Sequence, residues 1–458
     1  MLLADRRTAS PWLALAVLST SMLMIILDGT IVSVALPALR DDLGFSAAGL
    51  SWTVNAYLVP LGGLLLLAGR LGDLVGRRRM LVAGLVLFTL ASLACGLATG
   101  PAMLVAARAV QGVAAALASS VVLGMVVSLF DDAGDGAERS STRRDRDRAR
   151  ALGAYAFVGA AGASLGLLLG GVLTEAIGWR SIFLVNVPIG VVAALLAVLV
   201  LAPDPARRSG ARPDLLGAAL VTLGLATLAF AIVETRWVAG VVAVVLLAGF
   251  AWRQARAAAP LVPPAVLRSR SVSFGNLAQV LTVAAMMGFQ FATALFLQQV
   301  LAYSPGETGL AMLPVAAIIG VVALRWAGPL VARFTARRVL LAGLGLLLAG
   351  FAVLVLAPGT AYLTDLLPAL VLLGLGAGLV MPSVTSVVMS DADADTAGLT
   401  SGLANTGQQV GGAIGIAVLA AVAAADGFRA AYLVAGGLVL AAALVVALAL
   451  PRERLSTV

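Results

Sequence analysis

The sequence predicts an all-α polytopic membrane protein: two six-helix halves with two further helices between them, fourteen spans in all. Three observations carry this. Of 458 residues, 61% are hydrophobic and 11% charged, with a mean hydropathy of +1.06, whereas soluble domains carry about 25% charged residues. The apolar residues gather into runs long enough to cross a bilayer. The third observation is that the last part of the chain repeats features of the first.

The spans come first. Apolar runs fall at 12–36, 47–68, 79–98, 102–126, 150–173 and 181–202, then at 213–233 and 237–253. Six more follow at 272–300, 305–327, 336–357, 366–390, 398–424 and 428–450. The first run is too long for a cleaved signal, and another span follows it directly. An even number of spans puts both termini on one side. Twenty-five arginines flank that side, against Arg40, Arg180, Arg236 and Arg429 on the other, with Arg108 inside a span. The positive-inside rule makes the arginine-rich side cytoplasmic, in the cytoplasmic (inner) cell membrane. Trp12, Trp52, Trp179, Trp237, Trp252 and Trp326 all fall near span ends, where interfacial aromatics belong.

Missing residues narrow the chemistry. The chain has no histidine, and its 30 basic residues are all arginine. A phosphate-loop lysine, a lysine Schiff base, a Ser-His-Asp triad and a histidine metal site are therefore excluded. The single cysteine, Cys95, lies in an apolar run. No cofactor or metal is implied, and an enzyme is the weakest reading. The formal charge of +8 does not point to nucleic acid, because the arginines follow the membrane topology. Segment 131–150 holds six arginines and six acids, and reads as a solvated, disordered cytoplasmic loop.

The repeat divides the chain. GRLGDLVGRRRML (69–81) stands between spans 2 and 3, and GPLVARFTARRVL (328–340) between spans 10 and 11. Gly162, Gly166 and Gly170 in span 5 are matched by Gly407, Gly411 and Gly415 in span 13. The expected domains are 1–202, an insertion at 203–256, and 257–458. Parallel repeats of this kind are a transporter architecture, with the substrate site at mid-membrane between the halves.

Span 1 contains LDGTIVSVALP (27–37), with an aspartate in the middle of an apolar run. A carboxylate there costs roughly 2.5–3.5 kcal/mol on insertion scales. Asp28 lies nine residues before Pro37, roughly 13 Å below the outer end, and Arg108 lies seven after Pro101, roughly 10 Å below it. Similar depth and opposite charge suggest a pair facing a bundle interior or cavity. Burial disfavours a carboxylate's charged form and a guanidinium favours it, so a change in their separation would load or release a proton. The alternative is a static pair that only stabilises the fold.

These stretches resemble the major facilitator superfamily, specifically its 14-helix drug:proton antiporter branch, along essentially the whole chain. Gly69-x-Leu71-x-Asp73-x-x-Gly76-Arg77-Arg78 resembles the loop signature that acts in the family as a cytoplasmic gate latch. Arg108-Ala-Val-Gln111-Gly112 resembles the helix-4 motif whose arginine is tied to proton coupling. Leu27 to Pro37, and Trp179-Arg180 through Phe183, Asn186, Pro188 and Gly190, resemble motifs of that branch. Gly153, Gly162, Gly166 and Gly170 fit the antiporter motif of helix 5, but Leu167 stands where the motif has proline.

The resemblance implies a major facilitator fold and proton-coupled export of small amphipathic drugs or antibiotics by alternating access. Asp28, Arg108 and Gln111 would carry coupling. Asn55, Gln290, Gln298, Asn405 and Gln408 are candidates to line the cavity, although polar groups in spans also serve as interhelical glue. Glu307 is set aside because Ser304-Pro305-Gly306-Glu307 spells a capping box. The expected partners are a small-molecule substrate, protons and the bilayer, with the chain acting as a monomer. The alternatives are export of a lipid precursor, siderophore or amino acid, or a non-transporting sensor or scaffold of the same fold.

Overall fold

The computed structural model describes residues 10–46, 49–131, 141–202, 213–257, 259–357, 361–391 and 397–450. Among these residues there are fourteen long helices and no strand. The first six are α1 (Pro11–Leu43), α2 (Trp52–Val75), α3 (Arg77–Gly96), α4 (Pro101–Asp131), α5 (Ser141–Ala176) and α6 (Ser181–Val200). Next come α7 (Leu215–Val233) and α8 (Trp237–Arg256). The last six are α9 (Arg270–Gln299), α10 (Pro305–Phe334), α11 (Ala336–Leu356), α12 (Tyr362–Met389), α13 (Ala397–Asp426) and α14 (Phe428–Ala449). Thirteen of them are long and apolar enough over their described residues to cross a membrane. The remaining one, α5, is the longest at 36 residues.

Two boundaries differ from the sequence reading. Helix α1 runs through Pro37 to Leu43, where Gly44 ends it with φ of 75°. Residues 141–150, expected to be loop, form the start of α5. Arg143 and Asp147 stand there at i,i+4 spacing, and Arg144 with Asp147, Asp145 with Arg148 and Asp147 with Arg150 at i,i+3, spacings that support helix in water. Residues 132–140 lie outside the described residues. The capping box at α10 is present, with the Ser304 hydroxyl accepting from Glu307 N–H and the Glu307 carboxylate accepting from Ser304 N–H.

Packing repeats between the halves. Helix α1 packs on α5 and α6, α2 on α4, and α3 on α4 and α6. Correspondingly, α9 packs on α13 and α14, α10 on α12, and α11 on α12 and α14. Small residues make these approaches possible. A Cβ on Gly84 would meet the Ala114 carbonyl at 2.9 Å, and one on Gly343 would meet the Gly376 carbonyl at 3.0 Å. Arg78 donates to the carbonyls of Ala197 and Val198 at the end of α6. Arg337 does the same for Val446 and Ala447 at the end of α14. Each arginine thus binds carbonyls in the last turn of a helix, where the backbone lacks its full set of donors.

The halves meet along two seams, α5 against α10 and α2 against α13. At one end of the first seam a Cβ on Gly171 would lie 2.5 Å from the Pro305 carbonyl. There Glu175 accepts from Gly306 N–H and the Ser304 hydroxyl at 3.0 and 3.1 Å, and Gln298 donates to the Val34 carbonyl at 3.0 Å. These contacts join the two halves at the helix ends that carry Glu175 and Ser304.

Helices α7 and α8 pair with each other, and α7 leans on both α2 and α13. Val238, Val241, Val242, Val244 and Val245 of α8 are exposed, as lipid-facing side chains would be. Asp214 caps α7 through Gly217 N–H and accepts from Arg253 and Gln254, while Gln254 accepts from Val262 N–H. Burial pushes the Asp214 carboxyl up, but the Arg253 hydrogen bond and its other donors outweigh that and hold it below the usual range.

Candidate functional site

Asp28 and Arg108 meet in the interior of the first half, both fully buried. The close approach of α5 sets Asp28 in place: a Cβ on Gly166 would collide with the Thr30 hydroxyl and lie 3.0 Å from the Leu27 carbonyl. Gly162 faces Leu23 and Ile26 of α1 in the same way, and Gly170 faces the Ile31 carbonyl. The glycine ladder is thus the surface on which the Asp28 segment lies. Gly153 belongs to α5, but its surroundings lie outside the described residues. Leu167, at the position of the motif proline, is buried, and its carbonyl faces Gly309 of α10.

Every oxygen of the Asp28 carboxylate is engaged. Oδ2 accepts from Arg108 Nη1, while Oδ1 accepts from Asn186 Nδ2 at 2.8 Å and Gln111 Nε2 at 3.2 Å. Arg108 Nε donates to the Thr53 carbonyl at 2.8 Å, and Nη1 also donates to Gln111 Oε1 at 2.9 Å. Gln111 Nε2 donates to the Ser92 hydroxyl at 2.7 Å, and its Oε1 accepts from Cys95 Sγ at 3.2 Å. The guanidinium lies over the Tyr57 ring, 4.4 Å from its centroid, and 5.7 Å from that of Phe183. Tyr57 in turn donates to the Ile25 carbonyl. Arg108 Nη2 and Asn186 Oδ1 have no hydrogen-bond partner.

Asp28, Arg108 and Gln111 were read from the sequence; the rest of the shell was not. Asn186 was noted only for its resemblance to the branch motif, and Ser92, Thr53, Tyr57 and Cys95 carried no assignment. Asn186 was the traceable one, a lone amide inside an apolar run. The others are residue types common in spans, and only folding brings them together.

The cluster exists in one half. Packing registers α1 on α9, since Gly166 meets Leu27 as Gly411 meets Val280. It registers α4 on α12 through Gly84 and Gly343, and α6 on α14 through Arg78 and Arg337. In that register Leu281 matches Asp28, Leu370 matches Arg108, Leu373 matches Gln111, and Ala435 matches Asn186. Where the first half has a buried ion pair, the second has hydrocarbon.

The other sequence-selected residues lie apart. Asp73 and Arg77 pair with each other at 3.2 Å. Gly76 joins α2 to α3 at φ of 107°, Gly69 has open space around it, and Arg78 holds the α6 terminus. Asn55 is fully buried, with both amide atoms unpartnered. Gln298 bridges to α1, Gln290 and Gln408 are half-buried, and Asn405 is exposed.

The same architecture occurs in solved transporters. The human organic anion transporter MFSD10 superposes with a TM-score of 0.65 at 17% identity, covering 96% of this chain and 100% of that one. A variant of the nucleoside transporter NupG gives 0.65 at 13% identity, with coverage of 96% and 100%. In sequence, the cephamycin export protein CmcT of Amycolatopsis lactamdurans is 40% identical over 86% of this chain and 81% of its own length. The puromycin resistance protein pur8 of Streptomyces alboniger is 37% identical over 81% and 73%. The multidrug resistance protein Stp of Mycobacterium tuberculosis is 34% identical over 84% and 71%. With a family model matching residues 18–416 as well, the chain belongs to the major facilitator superfamily.

Proposed function

We propose that this chain is a proton-coupled antiporter that exports small amphipathic drugs or antibiotics across the cytoplasmic membrane. Both termini face the cytoplasm, and the chain works as a monomer. The bodies that move are 1–202 and 257–458, with the hairpin of 203–256 riding on the α2–α13 seam. The observation that carries the reading is the sealed Asp28–Arg108–Gln111–Asn186 cluster, built in one half and replaced by leucine and alanine in the other. A structural pair would serve a repeat-built fold equally well in both halves. The relatives named for cephamycin export, puromycin resistance and multidrug resistance support the substrate class.

In the cycle we propose, the seam at Glu175 and Ser304 is the closed outer face, the Asp28–Arg108 pair is intact, and substrate is taken up from the cytoplasm. Opening outward separates carboxylate from guanidinium, and Asp28 takes a proton from outside as substrate leaves. Arg108 stays in place on the Thr53 carbonyl and the Tyr57 ring, which stabilise it without the carboxylate. The latch residues Gly69, Asp73, Gly76, Arg77 and Arg78 shape the cytoplasmic turn that must close in that step. One proton crossing 100 mV supplies about 2.3 kcal/mol, a gradient of about fifty-fold.

The test is protection of efflux-deficient bacteria from chloramphenicol. The proposal expects wild type to raise the inhibitory concentration several-fold, and a protonophore to restore drug accumulation. Accumulation that ignores the protonophore would exclude proton coupling.

A further inference from the structure

We infer that the substrate is held by a band of neutral amides on α9 and α13, Asn276, Gln279, Asn405 and Gln408, which selects molecules carrying hydrogen-bonding groups but no net positive charge. The inference rests on the export reading and names the substrate class for it.

The placement follows from Gly412. A Cβ there would lie 3.5 Å from Leu58 of α2 and 3.4 Å from Met287 of α9, so three helices from both halves converge at this glycine. Gln408 and Asn405 lie four and seven residues before Gly412 on the same stripe of α13. Along that stretch Gln408 is half-buried and Asn405 exposed. On the neighbouring helix, Asn276 Oδ1 comes within 3.7 Å of a Cβ on Gly407. Gln279 follows one turn further along α9. These four amides lie roughly 9 to 17 Å from the cytoplasmic ends of their helices at 1.5 Å per residue. They form one band on the inner side of the closed outer face.

Amides inside spans often serve as glue between helices, but glue is hydrogen-bonded. Among the described residues, the side chains of Asn405 and Gln408 hold no hydrogen bond. Both amide atoms of Gln279, 1% exposed, have no partner, and neither does Asn276 Oδ1. Buried amide groups left open in this way are suited to a ligand that supplies carbonyls and hydroxyls. Helix α2 packs against the same stretch of α13, with Leu58 at Gly412, Gly62 at Gln409 and Leu66 at Gly402, and supplies the apolar neighbours of the band.

Charge selection follows from the acids. Asp28 is the only Asp or Glu in the sequence away from a span end. It is fully buried, and both oxygens are occupied by Arg108, Gln111 and Asn186. A fixed cation in the amide band therefore meets no carboxylate, and an uncompensated charge at that depth is strongly disfavoured. Proton site and substrate site are separate, one in each half.

The experiment expresses wild type, Gln408→Leu, Gln279→Leu and Gln408→Glu in an efflux-deficient host at matched membrane levels. Neutral probes are chloramphenicol and linezolid; cationic probes are ethidium and tetraphenylphosphonium. Protection by wild type against the neutral pair alone is expected. Each leucine variant should lose roughly fivefold, as one hydrogen bond of ordinary net worth implies. Gln408→Glu should gain protection against ethidium. The inference is overturned if wild-type protection follows positive charge, if both leucine variants match wild type, or if Gln408→Glu gains nothing. Wild type that protects against none of the four probes would overturn the export reading, and this inference with it.

Discussion

Arg108 is the residue on which the first half depends most. Its removal strands Asp28 as a buried charge, a loss that typically costs about 3–5 kcal/mol, whereas Asp28→Asn keeps a hydrogen-bonding partner of the same shape. Arg108→Ala should therefore unfold well before Asp28→Asn in a detergent thermal melt, and equal melting points would argue against this account of the pair. A second strained residue lies in the repeated loop. Gly76 takes φ of 107°, and at the matching position Thr335 takes φ of 77° with a side chain attached. Positive φ at a non-glycine residue costs of order 1–3 kcal/mol, so Thr335→Gly should raise the melting temperature. A fall would mean that Thr335 makes compensating contacts.

At the scale of helices, glycines divide by what they touch. Gly166 has the Thr30 hydroxyl and Leu27 carbonyl where a Cβ would go, while Gly69 has nothing within 4 Å. Gly166→Ala should thus abolish drug protection by pushing α1 and Asp28 off α5, whereas Gly69→Ala should leave folding and membrane level unchanged. The outer seam makes a separate prediction. Glu175 of α5 accepts from Gly306 N–H and Ser304 at the start of α10, a contact that must break when the outer face opens. Glu175→Ala should increase labelling of a cysteine introduced at Val34 by an impermeant maleimide added outside; unchanged labelling would show that the seam is held elsewhere. Spans were legible because lipid demands long apolar runs with internally satisfied backbone. Their ends were not. Pro37 suggested a terminus, yet α1 continues to Leu43, because the preceding turn tolerates the missing donor. The 141–150 segment is too polar for a hydropathy reading, although its charge spacing suits a helix.

Across the whole molecule, the repeat was visible in the matched loops and glycine ladders, and packing follows the same pattern in both halves. What the repeat could not reveal was its broken symmetry. Asp28 and Arg108 stood out as charges in apolar runs, but no counterpart search in the sequence locates Leu281 and Leu370, because that register is set by helix packing. The amides of α9 and α13 were equally ambiguous until their unpaired atoms could be seen. On the function proposed above, this asymmetry divides the labour: a proton site in the first half, a substrate site in the second, and a moving seam between them. The most direct test is chloramphenicol uptake into proteoliposomes under an imposed pH gradient, wild type against Asp28→Asn. Wild type should accumulate the drug against its gradient, while Asp28→Asn should only equilibrate it. Full pH-driven accumulation by Asp28→Asn would show that the proton is carried elsewhere and contradict the account.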